Sequence, residues 1–177
     1  MSLFYKVSWY LRAIFLKFFF KKIGNFSIIG KPIFLHNPKK IKIGNKVRIF
    51  PGSRFECHNS GEIVILDNVS IGQNFHVISS NEPLYIHPGV VISANVCITN
   101  VDHEYKDINL SISEQKIIFK KTEIGKNCFI GYGAMIQAGT ILGNHCIVGA
   151  NATVKGIFPD YSIIVGTPGR ILKKIKE

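Results

Sequence analysis

His103 is the side chain in this sequence best suited to chemistry. It stands in the run Thr99-Asn100-Val101-Asp102-His103-Glu104-Tyr105, an imidazole between two carboxylates. An imidazole titrates near neutrality, so it can take a proton from an alcohol under ordinary conditions. Acyl transfer to a hydroxyl needs such a base. It also needs donors for the developing oxyanion and binding that holds two substrates together. Asp102 and Glu104 would orient the ring or bind acceptor hydroxyls, or stand as solvated loop charges. Tyr105 and Asp107 are candidates for acceptor contact. Of the other histidines, His145 occupies a polar turn position, and His36, His58 and His87 lie in turn-like contexts. His76 ends a repeat unit beside an irregular turn, where it would line a pocket.

The elements that must position His103 come from a repeat. From about Ile41 to Val165 one phrase recurs: an aliphatic residue, often Gly, two polar residues, then a small residue. The run beginning Ile124-Gly125-Lys126-Asn127-Cys128-Phe129 and Ile130-Gly131-Tyr132-Gly133-Ala134-Met135 holds a period of six over five units, ending at Thr153. Neither a helix nor a half-buried strand has that period. It fits a strand, a turn and a strand on the next wall of a prism, three units to a coil. The aliphatic residue points to the axis, and the small fifth residue relieves crowding. Gly beside the aliphatic residue is expected to take positive φ at a sharp turn. The Asn and Asp that follow tolerate left-handed geometry. Breaks near Glu56–Ile63 and Val77–Tyr85 are expected to be irregular turns. The repeat fails again at Asp102 and resumes near Ile117. The polar stretch between must leave the prism as a loop, with His103 at its start, and inserted loops are where function collects.

At 177 residues the chain makes one domain, and 46% hydrophobic residues supply a core. The net charge of +11 favours anionic partners. Nothing matches a nucleic-acid-binding fold, so nucleic acid is not an expected partner. Cys57, Cys97, Cys128 and Cys146 form no CxxC pair and no zinc spacing; they read as small core residues in a reducing compartment. The first 22 residues are apolar and aromatic but interrupted by Lys6, Arg12 and Lys17. They are too broken to span a bilayer and lack a signal-peptide cleavage site. A helix is expected there. It would either pack on the prism or a neighbouring subunit, or lie at a membrane surface with its cations reaching the headgroups.

This pattern resembles the hexapeptide-repeat acyltransferases, in particular their sugar O-acetyltransferase branch. The resemblance covers roughly residues 20 to 175. It implies an all-β left-handed parallel β-helix over 23–166, with a helix over 1–22, an active-site loop at 103–116 and a basic closing segment over 167–177. It implies that His103 is the general base, since the family places a catalytic histidine in a segment like Thr99 to His103. The polar residue from a preceding coil that orients this base would be Asn81, with Asp102 also at the catalytic centre. The segment Val165-Gly166-Thr167-Pro168-Gly169-Arg170 resembles the family's closing motif, with Gly169 where alanine is usual. Acetyl-CoA is the implied acyl donor. Its pantetheine arm would lie along Gly131, Tyr132, Gly149 and Ala150. Thr167 would border the groove, and Lys155, Arg170, Lys173 and Lys174 would meet the phosphates.

The implied reaction is O-acetylation of a sugar in a bacterial surface glycan or its precursor. N-acetylation of a nucleotide-linked amino sugar remains open, as does a non-catalytic scaffold. The implied assembly is a homotrimer with active sites between subunits, in the cytoplasm or at the inner face of the membrane. Carbonic-anhydrase-like members of the fold need histidines five residues apart. Ile98 and Ile108 occupy those places around His103, so no metal is expected.

Overall fold

The computed structural model describes residues 3–175. The chain winds into a three-walled prism, a left-handed parallel β-helix. Seven parallel strands from Lys22–Ile23 to Ile157–Phe158 form the first wall. The second runs from Ile28–Ile29 to Ser162–Val165 and adds an antiparallel strand, Arg170–Lys174. The third holds six strands, from Phe34–His36 to Thr153–Val154. Most strands are two or three residues long, because a period of six leaves the rest for the corners.

The core is a stack. In the first wall Ile43, Ile65, Ile86, Ile124 and Leu142 lie directly over one another, all buried. The fifth position of each unit also points inward: Cys128, Ala134, Cys146 and Ala152 are at most 1% exposed. Cys57 is likewise buried, whereas Cys97 faces outward on the third wall; all four thiols are free.

Two expectations about the corners need correction. The glycine beside the aliphatic residue does not take positive φ. Positive φ falls two residues later, at Asn127, Gly133, Gly139, His145 and Asn151. Gly125 and Gly131 are required for space. A Cβ on Gly125 would lie 2.4 Å from the Gly143 carbonyl oxygen, and one on Gly131 2.6 Å from the Ala150 nitrogen. The breaks in the repeat also differ from expectation. Arg54–His58 and His76–Ser80 are the longest third-wall strands, paired in register over all five residues. Irregularity is confined to the short turns that follow each of them.

The expected N-terminal helix is shorter than 1–22. It is α1, Leu3–Leu16. Residues 17–20 turn, and the Lys21 amide already bonds to the Ile41 carbonyl of the first wall. The chain must leave the helix there to start its first coil. Met1 and Ser2 lie outside the described residues, as do Lys176 and Glu177 of the expected closing segment. Trp9, Ala13, Leu16 and Phe20 form the inner stripe. Arg12 donates to the carbonyl of Ile29 on the edge strand of the second wall, and Trp9 meets Phe50 edge-on at 5.1 Å. The helix thereby covers the open end of the prism.

Candidate active site

His103 ends a strand that leaves the prism. Val101–His103 pairs antiparallel with Ile117–Phe119 to make a two-stranded ribbon, with Val101 opposite Phe119 and His103 opposite Ile117. The ribbon departs at the edge between the third and first walls, in the fourth coil. The break in the repeat and the family resemblance imply a loop at 103–116 but not the ribbon that carries it.

The base of the ribbon is fixed by buried polar groups. Asn100 is 1% exposed. Its side-chain oxygen accepts from the Ser80 amide (2.8 Å), and its side-chain nitrogen donates to the carbonyls of Ser80 (3.0 Å) and Glu82 (3.1 Å). Every polar atom of that side chain is used, as burial requires. The Val101 amide donates to the Thr99 hydroxyl at 2.9 Å, and the Thr122 hydroxyl donates to the Thr99 carbonyl at 3.1 Å. These three residues were not singled out from sequence. Their only signal was a polar residue where the aliphatic repeat stops.

His103 itself is exposed. Its amide donates to the Asp102 carboxylate at 3.0 Å. No hydrogen bond reaches its ring among the described residues. Asp102 accepts from the Lys155 ammonium at 3.1 Å, and that bond holds its carboxyl below the usual range. Lys155, expected beside cofactor phosphates, therefore stands at the ribbon two coils on, along the same edge. Glu104 bonds through its amide to the Lys116 carbonyl and accepts from the Tyr105 amide. Tyr105 is 70% exposed. Asp107 serves the loop itself: its carboxylate accepts from Asn109, and its backbone exchanges hydrogen bonds with the Gln115 side chain. Asn81 sits at the same edge one coil earlier, in left-handed conformation, with its side-chain oxygen accepting from Ser80. It makes no hydrogen bond to His103.

His76 lies elsewhere, on the outer face of the third wall. Its Nε2 is 2.7 Å from Glu56, which also receives Arg54 at 2.6 Å and His58 at 3.4 Å. The His58 ring stacks on His36 at 4.8 Å. Burial works against ionisation of Glu56, but the hydrogen bonds from Arg54, His76 and His58 outweigh it and hold the pKa at about 2. The alternation Arg54-x-Glu56-x-His58 was a readable sign of an outward strand face.

The residues expected to hold the cofactor gather on a different edge. Gly131 and Tyr132, Gly149 and Ala150, and Thr167 occupy successive corners between the second and third walls. The Thr167 hydroxyl donates to the Asn151 carbonyl, and the Asn95 side chain donates to the Tyr132 hydroxyl. Arg170 and Lys173 lie on the returning strand of the second wall. The structure thus brings together His103, Asp102, Glu104 and Lys155 at one edge and the small-residue corners at another. The width of the third wall, about 10 Å for a three-residue strand, separates them. Among the described residues no group of three His, Cys, Asp or Glu side chains is placed to hold a metal ion.

The model of the bacterial transferase hexapeptide (six repeats) matches residues 121–156. The putative lipopolysaccharide biosynthesis O-acetyl transferase WbbJ of Escherichia coli is 30% identical over 157 residues, covering 85% of this chain and 80% of that protein. The probable acetyltransferase Rv3034c of Mycobacterium tuberculosis is 32% identical over 148 residues, and the chain spans only 49% of its length. In fold, the chain is similar to the N-acyltransferase AntD of Bacillus cereus in complex with dTDP and 3-hydroxybutyryl-CoA. That likeness has a TM-score of 0.80 at 22% identity, over 93% of this chain and 88% of that one. The stack of hexapeptide coils and the coverage of the Escherichia coli relative agree: this chain belongs to the hexapeptide-repeat acyltransferase family.

Proposed function

We propose that this protein transfers the acetyl group of acetyl-CoA to a hydroxyl of a sugar in a surface glycan or its precursor, with His103 as general base. The observation that carries this reading is the exposed imidazole of His103, held on a ribbon whose base is stapled by Asn100 and whose flank is clasped by Asp102 and Lys155. A ring nitrogen takes the proton of the acceptor hydroxyl as its oxygen attacks the thioester carbonyl. Collapse of the tetrahedral intermediate breaks the carbon–sulfur bond. The proton held by His103 then passes to the departing thiolate, giving the sugar ester and CoA thiol. Asp102, Glu104 and Tyr105 are the acceptor-side groups nearest the base in sequence. The small-residue corners at Gly131 and Gly149 let an extended pantetheine arm lie against the backbone.

Separation of the two edges supports an active site shared between chains of a homotrimer. The His103 edge of one chain would face the cofactor edge of the next. The relation to WbbJ, a putative lipopolysaccharide biosynthesis O-acetyl transferase, supports a glycan acceptor. A second reading, N-acetylation of a nucleotide-linked amino sugar, is favoured by one local match. The dTDP-3-amino-3,6-dideoxy-alpha-D-galactopyranose 3-N-acetyltransferase of Aneurinibacillus thermoaerophilus is 40% identical over 53 residues.

The test is release of CoA thiol from acetyl-CoA across a panel of glycan fragments and nucleotide-linked amino sugars. Acceptor-dependent release that falls about 10²- to 10⁴-fold in His103→Ala supports the reading and identifies the acceptor. Release only with amino sugars would favour N-acetylation. Failure to bind acetyl-CoA at all would return the chain to a scaffold.

A further inference from the structure

The charge of this chain is not spread along it. Twelve of its 22 Lys and Arg residues precede Glu56, and no Asp or Glu comes before that position. The remaining residues hold 10 basic and 11 acidic side chains and are close to neutral. Of the twelve, only Lys21, Lys42 and Arg54 form ion pairs among the described residues. The positive charge therefore sits on α1 and the first coils, at one end of the prism.

The same end carries an unpartnered apolar face. The inner stripe of α1 takes up Trp9, Ala13 and Leu16. The opposite stripe is apolar too: Val7, Leu11, Ile14 and Phe15 follow at helical spacing, and Phe18 continues the line into the turn. Leu11 is 60% exposed, Phe15 59% and Phe18 81%. Lys6 and Lys17 flank this stripe on one side, and on the other Arg12 bonds back to the first coil. Next to it a groove of about 320 Å³ runs between α1 and the first coil, lined by Val7, Tyr10, Phe26 and Ile28 with Lys6 at its rim. Large exposed apolar patches on soluble proteins mark docking surfaces.

We infer that the outer face of α1, with the basic first coils, docks on an anionic lipid bilayer. The helix lies in the interface without crossing it. At 14 residues it extends about 21 Å, short of the roughly 30 Å hydrocarbon core, and no helix among the described residues is long and apolar enough to span. Apolar side chains flanked by Lys and Arg are the pattern of an interfacial helix, whose cations meet headgroup phosphates while its apolar stripe enters the acyl boundary. Charge complementarity selects this occupant over a second copy seated face to face, because two such faces would bring like charges together. The inference stands independently of the role given to His103.

Co-sedimentation of the full chain with vesicles tests it. Vesicles of phosphatidylcholine with phosphatidylglycerol should bind the wild type, more weakly as salt rises; vesicles of phosphatidylcholine alone should not. Phe18→Ser, which lies beyond the helix, and Leu11→Glu with Phe15→Glu should each weaken binding about tenfold or more. Lys6→Ala and Lys17→Ala should each weaken it about fivefold. Circular dichroism should show all of them folded. Equal binding to both vesicle types, full binding by Phe18→Ser, or no wild-type binding would overturn the inference. So would a fall in oligomer mass on Leu11→Glu with Phe15→Glu in vesicle-free solution, which would assign the face to a neighbouring copy.

Discussion

Asn100 and His103 are three residues apart and face opposite environments. Asn100 is buried with both polar atoms of its side chain hydrogen-bonded, whereas the ring of His103 has no hydrogen-bond partner among the described residues. Replacing Asn100 by Asp keeps the acceptor for the Ser80 amide but turns an oxygen toward two carbonyls. Urea unfolding should show a loss on the order of 3 kcal/mol. Activity should fall as well, since the ribbon loses its anchor. His103→Ala should leave stability within about 0.5 kcal/mol of wild type, because an exposed ring supports nothing beneath it. Glu56 gives a pH-dependent case. Its folded pKa is depressed, so its contribution is complete above its ordinary value of 4.5 and is lost as pH falls toward about 2. Glu56→Gln should cost on the order of 2 to 3 kcal/mol at pH 7. The gap between variant and wild type should close on acidification toward that lower value. A gap that stays constant with pH would mean that the ion cluster is not its source.

At the scale of elements, the repeat was legible because its side chains enforce it. Ile124, Ile130 and Ile136 recur at the spacing at which the chain meets each wall, and the walls stack as that spacing demands. The role of glycine was not legible. Its neighbours in the sequence suggest a turn, but the atoms that forbid a side chain belong to the next coil, 18 residues away. Gly131→Ala should therefore cost about 1 to 3 kcal/mol through overpacking against Ala150. Gly139→Ala meets only the flexible Lys120 side chain and carries the cost of its positive φ alone, about 1 kcal/mol. Chemical denaturation of the two variants separates these causes. The ribbon was missed for a related reason. Its strands are three residues each and pair across an 13-residue excursion, too short for periodicity to register. Of the site, His103 was visible as a titratable residue at a break in the repeat. The clasp between Asp102 and Lys155 was not, because it joins residues two coils apart.

The whole molecule is polar in two senses. It has a basic, partly apolar end at α1, while the coils from Glu56 onward sum to almost no net charge. It also has two candidate site edges on different sides of one wall. Proposed assembly as a trimer makes the second kind of polarity useful, and complementation checks it. His103→Ala would remove the proposed base and Ala150→Trp would block the proposed cofactor edge, where Ala150 is exposed. Each should be inactive alone, and mixed after unfolding and refolding together they should regain activity. Sedimentation showing a fully active monomer would sink the shared site.

A parallel coil is also a unit of length. Each turn raises the chain by one strand spacing, about 4.8 Å. The ribbon leaves in the fourth coil, so it departs some 14 Å above the first, on that same spacing. If the α1 end rests on a surface, the number of coils beneath the ribbon sets the standoff of His103 from that surface. The fold would then select acceptors by how far they extend, with no side chain having to measure them.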